Sequence, residues 1–261
     1  MKTMLLDLGN SQAHFALSDH GQILGELRIN KADLQLTLAF QLTNWLKAQE
    51  ISPKEIRSII YVSVVPSLEP VLEVAFAKLN WSLVKIDKAH MERAGMEVQA
   101  EGVGADRLLT AWAGWQIYHQ PLLVIDIGTA LTFDLVGSHG EFLGGAILPG
   151  PGLANQALAW GTEGLKVVPL DWPDEIIGKN TTHAVQSGIL FGYTSMVKAM
   201  SEKFAAQMGG QLLRLLTGGW AGTLSRSGQD LGKLHPRLTL EGLQMMGARP
   251  EVNFQPSKYH G

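Results

Sequence analysis

Two short apolar runs end in the same acid-and-glycine turn: Leu5, Leu6, Asp7, Leu8, Gly9, Asn10, Ser11, and Val124, Ile125, Asp126, Ile127, Gly128, Thr129, Ala130. Each reads as a strand, then an Asp, then a glycine turn with a hydroxyl or amide beside it. Such a turn offers backbone N–H groups to an anion while its carboxylate faces a metal ion or that ion's water. Two of them can grip one polyphosphate. A single Asp-x-Gly is an ordinary strand-ending turn in most proteins. Here both copies resume apolar character at once, through Gln12, Ala13, His14, Phe15, Ala16, Leu17 and through Leu131, Thr132, Phe133, Asp134, Leu135, Val136. A strand, a tight polar turn and a second strand make a hairpin with its tip offered to a ligand.

Other residues carry chemistry with an alternative beside it. Gly104, Ala105, Asp106, Arg107 sets a carboxylate next to a guanidinium at a turn-to-helix junction. Asp106 there is either a helix cap or the base that a phosphate-binding chain needs to activate an acceptor. Thr181 follows Gly178, Lys179 and Asn180 and precedes a helix, so it reads equally as a cap or a ligand contact. Ser187, Gly188, Gly192 and Ser195 recur at helical intervals and suit close approach of another helix. The segment from Gly144 to Gly152 holds so many helix and strand breakers that it reads as a wall or closing loop of a site. The eight His form no His-Glu-x-x-His metal pattern. Trp45, Trp112 and Trp115 fall on apolar helical faces and read as packing.

The elements that must position these residues follow from periodicity. Leu34, Leu38, Leu42, Trp45 and Leu46 predict a helix over 34–49, and the β-branched run 59–65 predicts a buried strand stopped by Pro66 in a parallel sheet. Helices are predicted over 71–79, from Leu108 to before Pro121, near 153–160 and over 181–208, with a strand at 211–216 ending in the turn Thr217, Gly218, Gly219. The same strand-and-turn opening in each half predicts duplicated α/β domains, 1–117 and 118–261, with the ligand in the cleft between them. The copies lie too far apart for a solenoid. Gly228 to Leu234 has the wrong spacing for a Walker loop, and Gly102 and Gly104 lack the third glycine of a dinucleotide loop.

Composition narrows the class. At 261 residues with a formal charge of −3, the chain suits one large or two modest domains and carries no basic cluster for nucleic acid. With no Cys, disulfides, thiolate zinc sites and cysteine nucleophiles are excluded. Asp7 interrupts the apolar N-terminus, and no run reaches the roughly 18 apolar residues of a membrane span, so a soluble, cytoplasmic protein with no membrane partner is expected.

Taken in order, the segments resemble the type III pantothenate kinases of the acetate and sugar kinase, Hsp70 and actin superfamily. The resemblance rests on Asp7-Leu-Gly-Asn-Ser11, Ser63-Val-Val-Pro66, Gly104-Ala-Asp-Arg107, Asp126-Ile-Gly-Thr-Ala-Leu-Thr-Phe-Asp134 and Gly144-Gly-Ala-Ile-Leu-Pro-Gly150, continued by Gly178-Lys-Asn-Thr181 and Thr217-Gly-Gly219. It implies an α/β fold of two duplicated ribonuclease H-like, actin-like ATPase domains around an interdomain nucleotide cleft. The implied reaction is ATP-dependent phosphorylation of pantothenate to 4'-phosphopantothenate, the first step of coenzyme A biosynthesis, by a homodimer using Mg²⁺ and K⁺ or NH₄⁺. Carried over by residue, Asp7, Leu8, Gly9, Asn10, Ser11, Gln12, Ala13 and His14 hold ATP and its metal, with Thr129 adding a phosphate contact. Asp126 holds the monovalent cation. Asp106 is the base, Gly104, Ala105, Asp106 and Arg107 line the pantothenate pocket with Thr181, and Thr217 to Gly219 lie near the adenosine.

Members often carry an aromatic and a proline shortly before Gly-Ala-Asp-Arg, whereas this chain reads Met96, Glu97, Val98, Gln99, Ala100, Glu101, Gly102, Val103; Ser11 replaces the commoner Thr. Two rival readings remain beside the kinase: a related kinase or phosphatase of another small acceptor, and a non-catalytic nucleotide-binding regulatory or accessory protein. Intact Asp7, Asp106, Arg107 and Asp126 count against the latter.

Overall fold

Aliphatic and β-branched runs in the first ninety residues become five strands of one sheet in the computed structural model, which describes residues 2–250 and Val252. These are β1 (Lys2–Leu8), β2 (Gln12–Asp19), β3 (Gln22–Asn30), β4 (Ile56–Ser63) and β5 (Ser82–Lys85), in the order β3-β2-β1-β4-β5. The three strands β1 to β3 form an antiparallel meander, and β4 and β5 add in parallel to β1. β4, the strand expected in parallel packing, pairs in parallel with both β1 and β5, and the sheet as a whole is mixed because hairpin turns join its first three strands and helices join the rest.

Alternation along β1 and β2 sends Met4, Leu6, Leu8, Phe15 and Leu17 to one face. Onto that face pack α1 (Lys31–Ala48), through the four-residue repeat Leu34, Leu38, Leu42, Leu46, and α2 (Glu69–Ala77), through Leu72 and Phe76. Pro66 ends the β4 run in a 3-10 turn leading into α2. The short α3 (Lys88–Arg93) is capped by the Asp87 carboxylate, and α4 (Ala105–Tyr118) follows.

A second sheet repeats the winding. Its strands are β6 (Leu122–Ile127), β7 (Ala130–Val136), β8 (Phe142–Pro149), β9 (Leu213–Thr217) and β10 (Lys233–Leu234), in the order β10-β9-β6-β7-β8. Again a three-strand antiparallel meander is extended by parallel strands beside its first member. The helices of this half are α5 (Pro151–Gly161), α6 (Thr181–Gln207) and α7 (Ala221–Ser225), with α8 (Leu238–Gly247) after β10. Leu190 and Val197 of α6 cover Ile125, Ile127, Leu131 and Phe133, and the Phe133 and Phe204 rings stack at 5.8 Å. Duplication explains the repeated turn: in each sheet it sits at the carboxyl end of the central strand, with a hairpin on one side and a parallel strand on the other.

The segment over 144–152, expected as a loop, is the edge strand β8 running into α5. An edge strand tolerates glycine and a terminal proline, and Pro151 occupies the first turn of α5, where a missing N–H costs nothing.

The chain forms two compact units. One holds residues up to 97, residues 101–113 and the described residues from 238 on; the other holds 98–100 and 114–237. Compared with a single division between 117 and 118, the crossing falls inside α4, and α8 returns to the first unit. Packing accounts for the return. A Cβ at Gly242 would stand 3.0 Å from the Ala113 methyl and 3.2 Å from the Leu109 carbonyl, so α8 lies almost in backbone contact with α4. The buried hydroxyls of Thr110 and Thr239 meet at 2.9 Å across the same contact, and Gln244 of α8 donates to Ser18 Oγ of β2 at 2.6 Å. No helix among the described residues is long and apolar enough to cross a membrane.

Gly242→Leu should push α8 off α4 and cost about 1–3 kcal/mol, the usual price of overpacking a close contact, read as a lower denaturation midpoint. An unchanged midpoint would mean that α8 adapts without loss.

Candidate functional site

In the first unit the acid-glycine turn is a tight hairpin. Gly9 donates its N–H to the Gln12 carbonyl at 3.0 Å, and Lys31 at the start of α1 donates to the Ser11 carbonyl at 2.8 Å. Asn10, Ser11 and Gln12 are exposed at the tip, and Asp7 is half-buried at its base. Not every residue from Asp7 to His14 can touch a ligand with its side chain. Leu8 and Ala13 are fully buried in the core, leaving only their backbone to offer, and the His14 ring is engaged by Glu26, Nε2 to Oε2 at 2.7 Å. Register places Asp7 opposite His14, and His14 opposite Arg28, so all three share one sheet face.

Asp106 lies in the first turn of α4. Gly104 accepts the first helical hydrogen bond, from Leu108 at 3.2 Å, so the cap position falls at Gly104 and Asp106 is two residues inside it. Its Oδ1 accepts the Arg107 N–H at 2.8 Å, a placement where the helix terminus favours negative charge. The carboxyls of Asp7 and Asp106 interact. Burial, then the Asp106 charge, pushes Asp7 up to about 7, with Arg28 opposing. Burial also raises Asp106, against the stabilising Arg107 N–H and guanidinium. Two crowded carboxylates with raised proton affinity form the oxygen set that a hard divalent cation relieves.

In the second unit the corresponding turn is closed by Gly128 N–H to the Ala130 carbonyl at 2.9 Å, leaving Thr129 exposed. Asp126 lies opposite Thr132 on β7 and Thr217 on β9. Gly218, at φ +88°, presses against the Asp126 carboxylate and the Ile127 backbone so closely that no side chain fits, while Trp220 N–H reaches the Ile127 carbonyl at 2.8 Å. The turn Thr217 to Gly219 thus folds over Asp126. Thr132 donates to the buried Asp134 carboxylate at 2.9 Å. Among the described residues no three His, Cys, Asp or Glu gather as metal ligands. One carboxylate opposite hydroxyl-bearing residues is an all-oxygen donor set, the kind that hard cations prefer.

Thr181 opens α6, but the cap is Asn180, whose Oδ1 accepts the His183 N–H at 2.9 Å. Thr181 therefore does not cap. It lines a largely apolar groove of about 1020 Å³ with Lys179, Ala184, Leu158 and Tyr193. A second, more polar groove of about 770 Å³ runs past Asn10, Ser11, Lys31 and Ser67 in the first unit. Of the segment that departs from the family pattern, Met96 is buried in the first unit, while in the second Val98 and Gln99 pair with Phe142.

Glu26 and Tyr193 were not legible as neighbours of these residues, and Gly218, expected near the adenosine from the resemblance, was not legible as a contact of Asp126. Glu26 meets His14 only through strand pairing, Gly218 meets Asp126 only through parallel pairing of β9 with β6, and Tyr193 sits within a helix whose periodicity predicts packing alone.

Residues 3–203 match the family model for type III pantothenate kinase. A type III pantothenate kinase of Moorella thermoacetica is 34% identical, covering 94% of this chain and 98% of its own length. Another, from Desulfotalea psychrophila, is also 34% identical, over 93% and 96%. Among solved structures, the activator of 2-hydroxyisocaproyl-CoA dehydratase from Clostridium difficile matches with a TM-score of 0.55 at 13% identity, covering 97% of this chain and 96% of that one; it shares the two-domain actin-like fold.

The raised Asp7 titration has a signed consequence. An unfolded chain releases that proton near pH 4 and the folded one near pH 7, so Asp7 costs stability as pH rises between those values and the full cost is present above them. Asp7→Asn should therefore gain on the wild type by about 2–4 kcal/mol between pH 4 and pH 8, measured by denaturant unfolding without metal. A pH-independent difference would remove the raised carboxyl.

Proposed function

The chain belongs to the type III pantothenate kinase family, an enzyme family that phosphorylates pantothenate with ATP, and from that premise we propose how its residues divide the work. The observation that carries the assignment is Asp106, a carboxylate of raised proton affinity at the mouth of α4, beside Arg107 and within electrostatic reach of Asp7. Asp106 accepts the proton of the pantothenate hydroxyl; its elevated pKa makes it a better base than an ordinary carboxylate. Gly104, Ala105 and Arg107 line the acceptor pocket, with the guanidinium meeting the acceptor's carboxylate or amide oxygens. Thr181 bonds the same substrate, and its apolar groove suits aliphatic carbons.

The exposed backbone and side chains from Gly9 to Gln12 cradle phosphate oxygens, while Leu8, Ala13 and His14 support the turn from within. Thr129 adds a phosphate contact, and Thr217 to Gly219 border the adenosine. Mg²⁺ bound with ATP would neutralise charge spreading over the transferred phosphoryl group, and Asp7 is the residue to hold it or its water. Asp126 would hold K⁺ or NH₄⁺. Because the transition state is loose, positioning and electrostatics supply most of the rate. The reaction belongs in the cytoplasm, with its ATP.

A second reading, phosphorylation of a related small acceptor, draws on the segment over 96–103, which lacks the family's aromatic and proline and instead pairs Val98 and Gln99 with β8. ADP release with ATP and Mg²⁺, with and without pantothenate, in sodium and then potassium or ammonium buffer, separates these readings. The expected result is pantothenate-dependent turnover requiring potassium or ammonium, with Asp106→Asn losing about 10²- to 10⁴-fold in turnover while keeping nucleotide binding. Wild-type turnover in that variant would remove Asp106 as base, and turnover only with another acceptor from a panel would establish the second reading.

A homodimer is supported by the second unit's surface. Trp160, Ile176 and Ile177 are 76%, 65% and 73% exposed. A second copy is the partner we assign to this face. Sedimentation should show a dimer that Ile177→Glu weakens, and a monomer at micromolar wild-type protein would overturn the assignment.

A further inference from the structure

Tyr193 stands in the middle of α6 with its ring in the groove that also holds Thr181. Its hydroxyl leaves the helix and donates to the Pro149 carbonyl at 2.6 Å, the last residue of β8. Pro149 lies opposite Ala130, the residue after Thr129, in the β7–β8 pairing. The next residue, Gly150, donates its N–H to the Thr129 carbonyl at 2.8 Å. A side chain at Gly150 would collide with the Gly128 and Thr129 carbonyls, so the 149–150 backbone is pressed directly onto the turn. The hydroxyl therefore holds the peptide that holds Thr129, and it does so from inside the groove. Burial raises the Tyr193 phenol, so it keeps its proton and remains a donor at neutral pH.

We propose that Tyr193 is a positioning residue that sets the Thr129 turn and ties it to the occupant of the Thr181 groove. Resting on the reading that Thr129 touches nucleotide phosphate and Thr181 touches the acceptor, the link gives the enzyme a means of sensing acceptor at the phosphate turn. A molecule entering the groove meets the Tyr193 ring, and any shift of that ring moves the Pro149 carbonyl and, through Gly150, the Thr129 carbonyl. Two hydrogen bonds and one close backbone contact make the path, all within one unit.

The test is a double-mutant cycle on nucleotide affinity, by calorimetry with a non-hydrolysable ATP analogue and Mg²⁺, on full-length wild type, Tyr193→Phe, Thr129→Ala and the pair. Thr129→Ala should weaken binding. Tyr193→Phe should weaken it about 3- to 10-fold, the worth of one hydrogen bond, but cause no further loss when Thr129 is already Ala. Pantothenate should change nucleotide affinity in the wild type and not in Tyr193→Phe. Unchanged affinity in Tyr193→Phe, or losses that simply add, would overturn the inference while leaving the Thr129 contact standing. Unchanged affinity in Thr129→Ala would instead overturn the reading beneath it. If Tyr193→Phe fails to fold, hydrogen exchange on the wild type decides: pantothenate should alter protection of the Gly150 amide, and no change would refute the link.

Discussion

The first unit's site depends on holding two carboxylates, Asp7 and Asp106, close enough that the Asp106 charge, added to burial, raises the proton affinity of Asp7. Left in water they would separate. The fold prevents that by placing one at the end of a central strand and the other in the first turn of α4. Against α4 packs α8, which meets it almost backbone to backbone at Gly242 and through a hydroxyl pair at Thr110 and Thr239. Stability is given up at Asp7, whose carboxyl is held away from water near a second acid.

The second unit starts from the same strand, turn and strand and arrives at a different site. Its carboxylate, Asp126, is faced by Thr132 and Thr217 and covered by Gly218, with Asp134 drawn into a hydrogen bond to Thr132. A duplicated scaffold thus carries two acid environments: an interacting pair, Asp7 and Asp106, in one copy and a single acid, Asp126, opposite hydroxyl-bearing residues in the other. The two turns also close differently: Gly9 N–H reaches the carbonyl three residues on, at Gln12, and Gly128 N–H the carbonyl two residues on, at Ala130.

The groove beside α6 shows how support reaches the turns from outside. Asn180 takes the capping role that would otherwise fall to Thr181, freeing that hydroxyl, and Tyr193 spends its hydroxyl on the Pro149 carbonyl. Neither arrangement follows from helical periodicity, which marks only the buried stripe of α6.

Local chemistry was legible in the sequence. The acid-glycine turns, the helix opening at Gly104 to Arg107, the leucine repeat of α1, the duplication and the family resemblance all follow from residue types at short spacing, where backbone geometry leaves few alternatives. The edge strand β8 was hidden by its glycines, since an edge strand lacks the two-sided packing that produces a continuous apolar run. Pairing across distance was decided only by the tertiary structure: α8 returning to the first unit, Glu26 against His14, Gly218 over Asp126 and Tyr193 against Pro149. Each joins residues separated by many positions, and their meeting depends on strand order, register and helix packing, which the burial of the whole chain settles and no local pattern encodes.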